Sequence, residues 1–197
     1  SFRIHVKAQA TGRSETIEAR SVILGMGAQP KRLGLKGEHE LTGRGVSYCA
    51  TCDGPLFRDK DVVVIGGGDT ALEEALFLKK FAKKVTLVHR RDAFRAAAVL
   101  QDKIKSDPKI NLCLGFLPTE VIGVNKVEAL RVQPVNGGAT RDISCDGIFI
   151  FVGFAPDTMF ARGFVELQED GSIKTDENMM TSRPGVFAAG DCRLRPF

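Results

Sequence analysis

The sequence predicts an α/β protein built on a parallel sheet, and three observations carry that reading. Residues 61–65, DVVVI, form a short continuous apolar run, the pattern of a strand buried on both faces. Gly66, Gly67 and Gly68 follow at once, and the next stretch, ALEEALFLKKFAKK, sets Ala71, Leu72, Ala75, Leu76, Leu78 and Phe81 at helical spacing. A second apolar run, VTLVH at 85–89, closes a strand–turn–helix–strand unit of about 30 residues.

The other elements follow in chain order. SFRIHVKAQA alternates Phe2, Ile4, Val6 and Ala8 with polar residues, TGRS turns, and ETIEARSVILGMG reads as one returning strand, which predicts a β-hairpin ending at Gly25 and Gly27. Residues 28–45 carry proline, glycine and charge without a period and are expected to connect two bodies. Beyond the central unit, a helix is expected over 93–106 and a strand in NLCLGFL. Alternating strands follow over 121–152, with Asn136-Gly137-Gly138 as a hairpin turn. A looser stretch leads to the closing GVFAAGDCRLRPF, and no internal repeat is present.

Composition narrows the class. With 43% hydrophobic and 26% charged residues, 21 glycines and no tryptophan, the 197-residue chain is of globular type and rich in turns, neither disordered nor collagen-like. No apolar run approaches the roughly 20 residues that cross a bilayer, and no charged-then-apolar leader precedes the first strand, so a cytoplasmic location away from membranes is expected. Five cysteines at irregular spacing do not make a secreted disulfide framework. A net charge of +4 permits an acidic partner without requiring one.

Gly66-x-Gly68-x-x-Ala71 matches the G-x-G-x-x-G/A fingerprint, after a buried strand and at the mouth of a helix. Gly66 permits the tight turn, Gly68 lets a pyrophosphate approach the backbone, and Ala71 allows the helix close to the strand. Gly67, Asp69 and Thr70 complete the loop, whose free N–H groups suit phosphate. Where an NAD-binding unit has an acid for the ribose 2′-hydroxyl, this chain reads HRRDAFR. His89, Arg90, Arg91 and Arg95 are expected to place positive charge there for a 2′-phosphate, so NADPH is favoured over NADH. A nucleic-acid face is disfavoured, since the arginines do not continue as a basic stripe along a helix.

Cys49 and Cys52 form a Cys-x-x-Cys pair with Asp53 behind it. That spacing serves zinc, thiol chemistry or haem attachment. Zinc needs two further ligands, and Cys113, Cys145, Cys192, His5, His39 and His89 stand singly. A dithiol near a hydride donor points to electron transfer, with a flavin as the expected intermediary and Asp53 as proton donor and acceptor. Cys113 and Cys145 are expected in the core.

GRGVSYCATCDG, VIGGGDTALEEAL, HRRDAFRA and GVFAAGDCR, in that order, resemble bacterial-type, low-molecular-weight thioredoxin reductase across essentially the whole chain. The resemblance implies a flavoprotein with two dinucleotide-binding domains, FAD and NADPH as cofactors, thioredoxin as partner and a homodimer at full length. It implies a Rossmann-like NADPH domain over 35–155 carrying the cysteines, flanked by incomplete FAD-domain pieces at 1–34 and 156–197. The family's first FAD-binding unit would precede residue 1, and the chain alone is expected to be inactive and to hold FAD weakly or not at all. By position Cys52 resembles the cysteine nearer the flavin, Cys49 the one that exchanges with thioredoxin, and Asp53 the acid/base residue. Gly27, Gly190 and Asp191 resemble the flavin-holding turns, and Glu73 or Glu74 approaches the nicotinamide.

Two positions depart from that pattern. Met26 stands where the family usually has threonine, and Asp69 where asparagine is usual. An anion at a helix N-terminus complements the dipole but repels a phosphate, so the Asp69 side chain is expected to point away. The flavin subunit of alkyl hydroperoxide reductase shares the cysteine pair but prefers NADH, which HRRDAFR argues against. Reductases that serve ferredoxin lack the pair.

Overall fold

The structure, a computed structural model, describes residues 1–193; the end of the closing piece, 194–197, lies outside the described residues. Two compact units are present. One runs from Pro30 to Gly153, and the other joins Ser1–Gln29 to the described residues from Phe154 onward. Residues 30–34 thus group with the larger unit, where the Lys31 N–H donates to the Gly153 carbonyl at 2.9 Å.

In the smaller unit β1 (Phe2–Lys7) and β2 (Ser14–Ala19) form the expected antiparallel hairpin. The single returning strand expected from the sequence is broken at Arg20–Ser21. Beyond the break β3 (Val22–Leu24) leaves the hairpin, and the Val22 N–H donates to the Gly185 carbonyl at 3.0 Å. Two further short strands, β4 (Ala28–Pro30) and, much later, β13 (Phe154–Pro156), pair with each other.

The larger unit contains β5 (Val46–Ser47), α1 (Ala50–Asp53), β6 (Asp61–Gly66), α2 (Asp69–Leu78), β7 (Lys84–His89), α3 (Ala98–Lys105), β8 (Ile110–Leu114), β9 (Phe116–Ile122), β10 (Ala129–Pro134), β11 (Arg141–Ser144) and β12 (Gly147–Phe151). Five strands form a parallel sheet in the order β5-β12-β6-β7-β8. β9, β10 and β11 form a separate antiparallel sheet, with the expected hairpin between β10 and β11.

Alternation along the strands divides this core. Val62, Val64, Val85, Leu87 and Phe149 face α2 and α3, joining Ala71, Leu72, Ala75, Leu78 and Ile104. Val63, Ile65, Val88, Cys113, Ile148 and Ile150 face the other way, joining Val121, Leu130, Val132 and Cys145. The parallel sheet is therefore the middle of three layers, which is why DVVVI is apolar at every position after its first. Each fully buried valine, leucine or isoleucine here contributes roughly 1.5–3 kcal/mol.

Two helices are shorter than their periodicity predicts. α2 stops at Leu78, where the chain tightens and the Lys80 and Phe81 N–H groups reach back three residues to Phe77 and Leu78. α3 begins at Ala98 rather than 93, because the backbone of 93–97 is engaged by the glycine loop.

In the smaller unit β14 (Val186–Ala188) runs parallel to β3, over a small core that includes Leu24, Ile173, Val186, Ala188 and Cys192. Both strands end in glycine turns on the same side: Gly27 after β3 and Gly190 after β14, each with positive φ.

The connector is pinned by a buried carboxylate. Glu38, only 2% exposed, accepts the Leu33 and Leu35 N–H groups at 3.1 and 3.0 Å and the Tyr48 hydroxyl at 2.7 Å. Burial, then the bond to Glu38, pushes the Tyr48 phenol up to about 12. A phenol whose folded pKa lies above the unfolded value of about 10 gives stability that is present below that pH and is lost as pH rises through the folded value.

Glu38→Ala strands three donors and is expected to cost about 2–4 kcal/mol in denaturant unfolding. Tyr48 is the sole tyrosine, so tyrosinate absorbance reports it alone. Its titration midpoint is expected near 12 in the native protein and lower, toward the ordinary phenol, in Glu38→Ala; an unmoved midpoint refutes the role of the carboxylate.

Candidate active site at the carboxyl edge of the parallel sheet

The sequence motifs of the larger unit emerge from the carboxyl ends of its strands, where α/β sheets form their ligand crevices. β5 leads to Cys49, β6 to the glycine loop and β7 to the arginines.

Cys49 and Cys52 form a disulfide at the start of α1, a single helical turn. Ser47, two residues before Cys49, accepts the Cys49 N–H at 3.1 Å and donates back to its carbonyl at 3.2 Å, which fixes the approach to the pair. The Cys49 Sγ accepts the Cys52 N–H at 3.2 Å and lies 3.3 Å from the Thr51 hydroxyl. Ala50 is fully buried, while Cys52 is exposed and Cys49 and Asp53 are half-buried. Behind the pair, Phe57 packs edge-on against Phe149 of β12, centroids 5.1 Å apart. The disulfide therefore follows directly on packed core, with Cys52 exposed and Cys49 half-buried. Leu56 beside it is 70% exposed.

In the glycine loop, a Cβ on Gly66 would lie 2.4 Å from the Phe151 carbonyl oxygen and 2.5 Å from the Ala71 methyl. That contact is the close approach of α2 to the sheet. A Cβ on Gly67 would lie 2.3 Å from the imidazole of His89. Gly68, the N-cap of α2, faces open space, with Asp69 and Thr70 exposed in the first turn. Open backbone at an uncapped helix N-terminus fits a phosphate.

The arginine loop differs from expectation at His89. Its side chain is buried, stacks on Phe94 at 5.7 Å and lies under Gly67, with Nε2 unpartnered. Burial, then the charges of Arg91, Arg95 and Arg90, holds its pKa below the usual histidine value. His89 is thus a neutral packing residue at pH 7, and the positive charge comes from the three arginines. Arg90, Arg91 and Arg95 are exposed and carry no ion pair among the described residues. Unpaired guanidinium groups in this place fit a 2′-phosphate.

On α2 Glu73 is exposed and Glu74 half-buried. Burial, then Glu73, raises the Glu74 carboxyl above its ordinary value, and its Oε2 has no partner. In the smaller unit Gly27, Gly190 and the exposed Asp191 lie at the carboxyl ends of β3 and β14, with open space around both glycines. Met26, half-buried between Gly25 and Gly27, packs against the core of that unit.

Ser47 and Thr51 escape a motif reading of the cysteine pair, although a serine two residues ahead of a turn is a recognisable turn signal. The burial of His89 has no local signal. It depends on a glycine 22 residues earlier in the chain.

Comparison with known proteins agrees with this architecture. The family model for pyridine nucleotide-disulphide oxidoreductase matches residues 2–196. The thioredoxin reductase of Peptoclostridium acidaminophilum is 45% identical over 190 residues, covering 93% of this chain and 60% of that protein. The thioredoxin reductase of Listeria innocua is 44% identical, over 94% of this chain and 58% of its own length. The crystal structure of Lactococcus lactis thioredoxin reductase superposes with a TM-score of 0.84 at 39% identity, covering 95% of this chain and 61% of that one. The chain thus spans about 60% of the length of the curated relatives it matches.

Gly67→Ala is expected to destabilise the chain by about 1–3 kcal/mol through its collision with His89. Gly67→Ala combined with His89→Ala is expected to recover part of that loss, giving a non-additive double-mutant cycle in thermal unfolding. Strict additivity refutes the contact.

Proposed function

The chain belongs to the pyridine nucleotide-disulphide oxidoreductase family, and from that premise we propose that it is the NADPH-binding, disulfide-bearing part of a thioredoxin reductase. The observation that carries the reading is the shared sheet edge, which presents a disulfide, an open phosphate loop and three unpaired arginines together. When bound, NADPH supplies a hydride and FAD relays its two electrons to the disulfide.

The residues of the larger unit have separable roles in this reading. Gly66, Gly67, Gly68, Thr70 and Ala71 shape the pyrophosphate seat, and Arg90, Arg91 and Arg95 hold the 2′-phosphate. Glu73, exposed on the first turns of α2, is the carboxylate assigned to the nicotinamide end. Two electrons and two protons convert the Cys49–Cys52 disulfide into two thiols. Cys49, whose Sγ accepts the Cys52 N–H, attacks as its thiolate one sulfur of the partner's disulfide. That step expels one partner thiolate and leaves a mixed disulfide; Cys52 then attacks the Cys49 sulfur, restoring the pair and releasing the second thiolate. Asp53 takes up and returns the protons, and the exposed Leu56, four residues after Cys52, offers a thioredoxin an apolar contact.

In the smaller unit Gly27, Gly190 and Asp191 contribute to an FAD site at the ends of two parallel strands. The complete enzyme in this reading is a cytoplasmic homodimer. Among the described residues no helix is long and apolar enough to cross a membrane.

Titration of the chain with NADPH and NADH separately is expected to give at least a roughly tenfold tighter dissociation constant for NADPH, from charge-assisted contacts to one phosphate. Equal constants overturn the 2′-phosphate assignment and favour a peroxide-linked flavoprotein. In the full-length protein Cys49→Ser and Cys52→Ser are each expected to abolish thioredoxin reduction while leaving NADPH affinity within about twofold. Normal turnover in either variant overturns the redox assignment.

A further inference from the structure

The arginine loop, residues 90–97, carries three cations within six residues, has no regular secondary structure and is exposed along most of its length. Something must hold it. Its buried side chains are Phe94 and Ala96, and its backbone is tied to the glycine loop at two points. The Arg95 N–H donates to the Gly67 carbonyl at 2.9 Å, and the Ala97 N–H donates to the Asp69 Oδ1 at 2.8 Å. Of these two ties to the glycine loop, the second comes from a side chain; the far side of the loop is held by Gln101, whose Nε2 donates to the Ala96 carbonyl at 2.8 Å.

We propose that Asp69 is a positioning residue, whose carboxylate fixes the arginine loop against the glycine loop and so sets the preference for a 2′-phosphorylated dinucleotide. The inference rests on the NADPH reading above. It concerns a residue whose own charge is wrong for phosphate, and the structure resolves that conflict: Oδ1 is turned toward Ala97, the N-cap of α3.

Alanine at an N-cap offers no side-chain acceptor, so α3 lacks its own cap. Asp69 supplies the reciprocal half of a capping box from another element, accepting the N-cap N–H as the third helical residue does in a local box. The carboxylate also lies in the first turn of α2, so it complements two helix N-termini at once. One side chain therefore joins the start of the helix that seats the pyrophosphate to the end of the loop that carries Arg90, Arg91 and Arg95. Losing the tie leaves the same three cations present but less well placed.

Charge and tether are separable by substitution. Asp69→Asn and Asp69→Ala both remove the anion, but the amide oxygen introduced by Asp69→Asn still accepts from the Ala97 N–H, so that variant retains the tie. Dissociation constants for NADPH and NADH are measured for the wild-type chain and both variants, with amide hydrogen exchange followed over residues 90–97. In Asp69→Ala the NADPH-over-NADH preference is expected to fall roughly five- to tenfold, through NADPH alone, with faster exchange in the loop. Asp69→Asn is expected to keep the wild-type preference within about twofold and to retain loop protection.

Equal weakening of both dinucleotides in Asp69→Ala overturns the proposal, since Asp69 then acts on the pyrophosphate seat. Identical behaviour of the two variants overturns it as well, because charge rather than the tie is then responsible. An unchanged preference in Asp69→Ala does the same. A wild-type chain without NADPH preference fails the underlying reading first, and that result appears in the wild-type titration before either variant is considered.

Discussion

The contact at the end of β6 sets the geometry of the larger unit. Because Gly66 has no Cβ, the Ala71 methyl and the Phe151 carbonyl oxygen occupy space that any side chain there would fill. The first turn of α2 can therefore sit directly over the sheet, and its N–H groups emerge at the carboxyl edge rather than beyond it. The same approach presses Ala71, Leu72, Ala75 and Leu78 onto Val62 and Val64, so much of one core layer depends on the position of α2. Gly67 extends the constraint to the neighbouring strand, since its missing side chain leaves room for His89 at the end of β7. Two consecutive glycines thus lock strand, helix and next strand together. The adjacent Gly68 is left open.

That division explains what the sequence makes legible. The β6–α2–β7 unit can be read because burial on both faces yields an uninterrupted apolar strand and burial on one face yields a helical period; both are local consequences of the layer order. Cys113 and Cys145 are legible as core residues for the same reason. The arginine loop is not. Residues 93–97 extend the period of α3 on paper, but the Arg95 and Ala97 N–H groups are drawn to Gly67 and Asp69, some 28 residues earlier in the chain. The break between β2 and β3 has a similar origin, because Val22 pairs with a segment near Gly185. Glu38 reads from the sequence as one more surface acid in GEHE. Its burial arises only once the connector folds back over Tyr48.

Charge at the sheet edge is sorted by burial. Arg90, Arg91 and Arg95 stay in solvent, where like charges a few residues apart are screened at modest cost. His89, beside them but inside, is kept neutral by desolvation and by those same arginines, so it fills space without adding to the repulsion. Asp69 is an anion in the first turn of α2, and its hydrogen bond turns it from the open face of Gly68 toward the N-terminus of α3. The net effect is an edge that is positive over β7, neutral beneath Gly67 and open at Gly68.

Strand order then fixes a direction. The arginines follow β7 and the glycine loop follows β6, so a dinucleotide with its 2′-phosphate on the first and its pyrophosphate on the second must extend away from β7. Beyond β6 lies β12, and beyond β12 lies β5, whose end carries Cys49. Neighbouring strands are about 4.8 Å apart, so the glycine loop and the start of the disulfide turn are separated by roughly two strand spacings, about 10 Å. On the proposed reading the nicotinamide end therefore points to the half of the edge that bears the disulfide, with β12 between them. The reverse orientation would put the adenosine end over β12 and leave three guanidinium groups facing no anion. On that reading the unpaired arginines fix the polarity of the dinucleotide, and they do so from the side of the sheet opposite the cysteines.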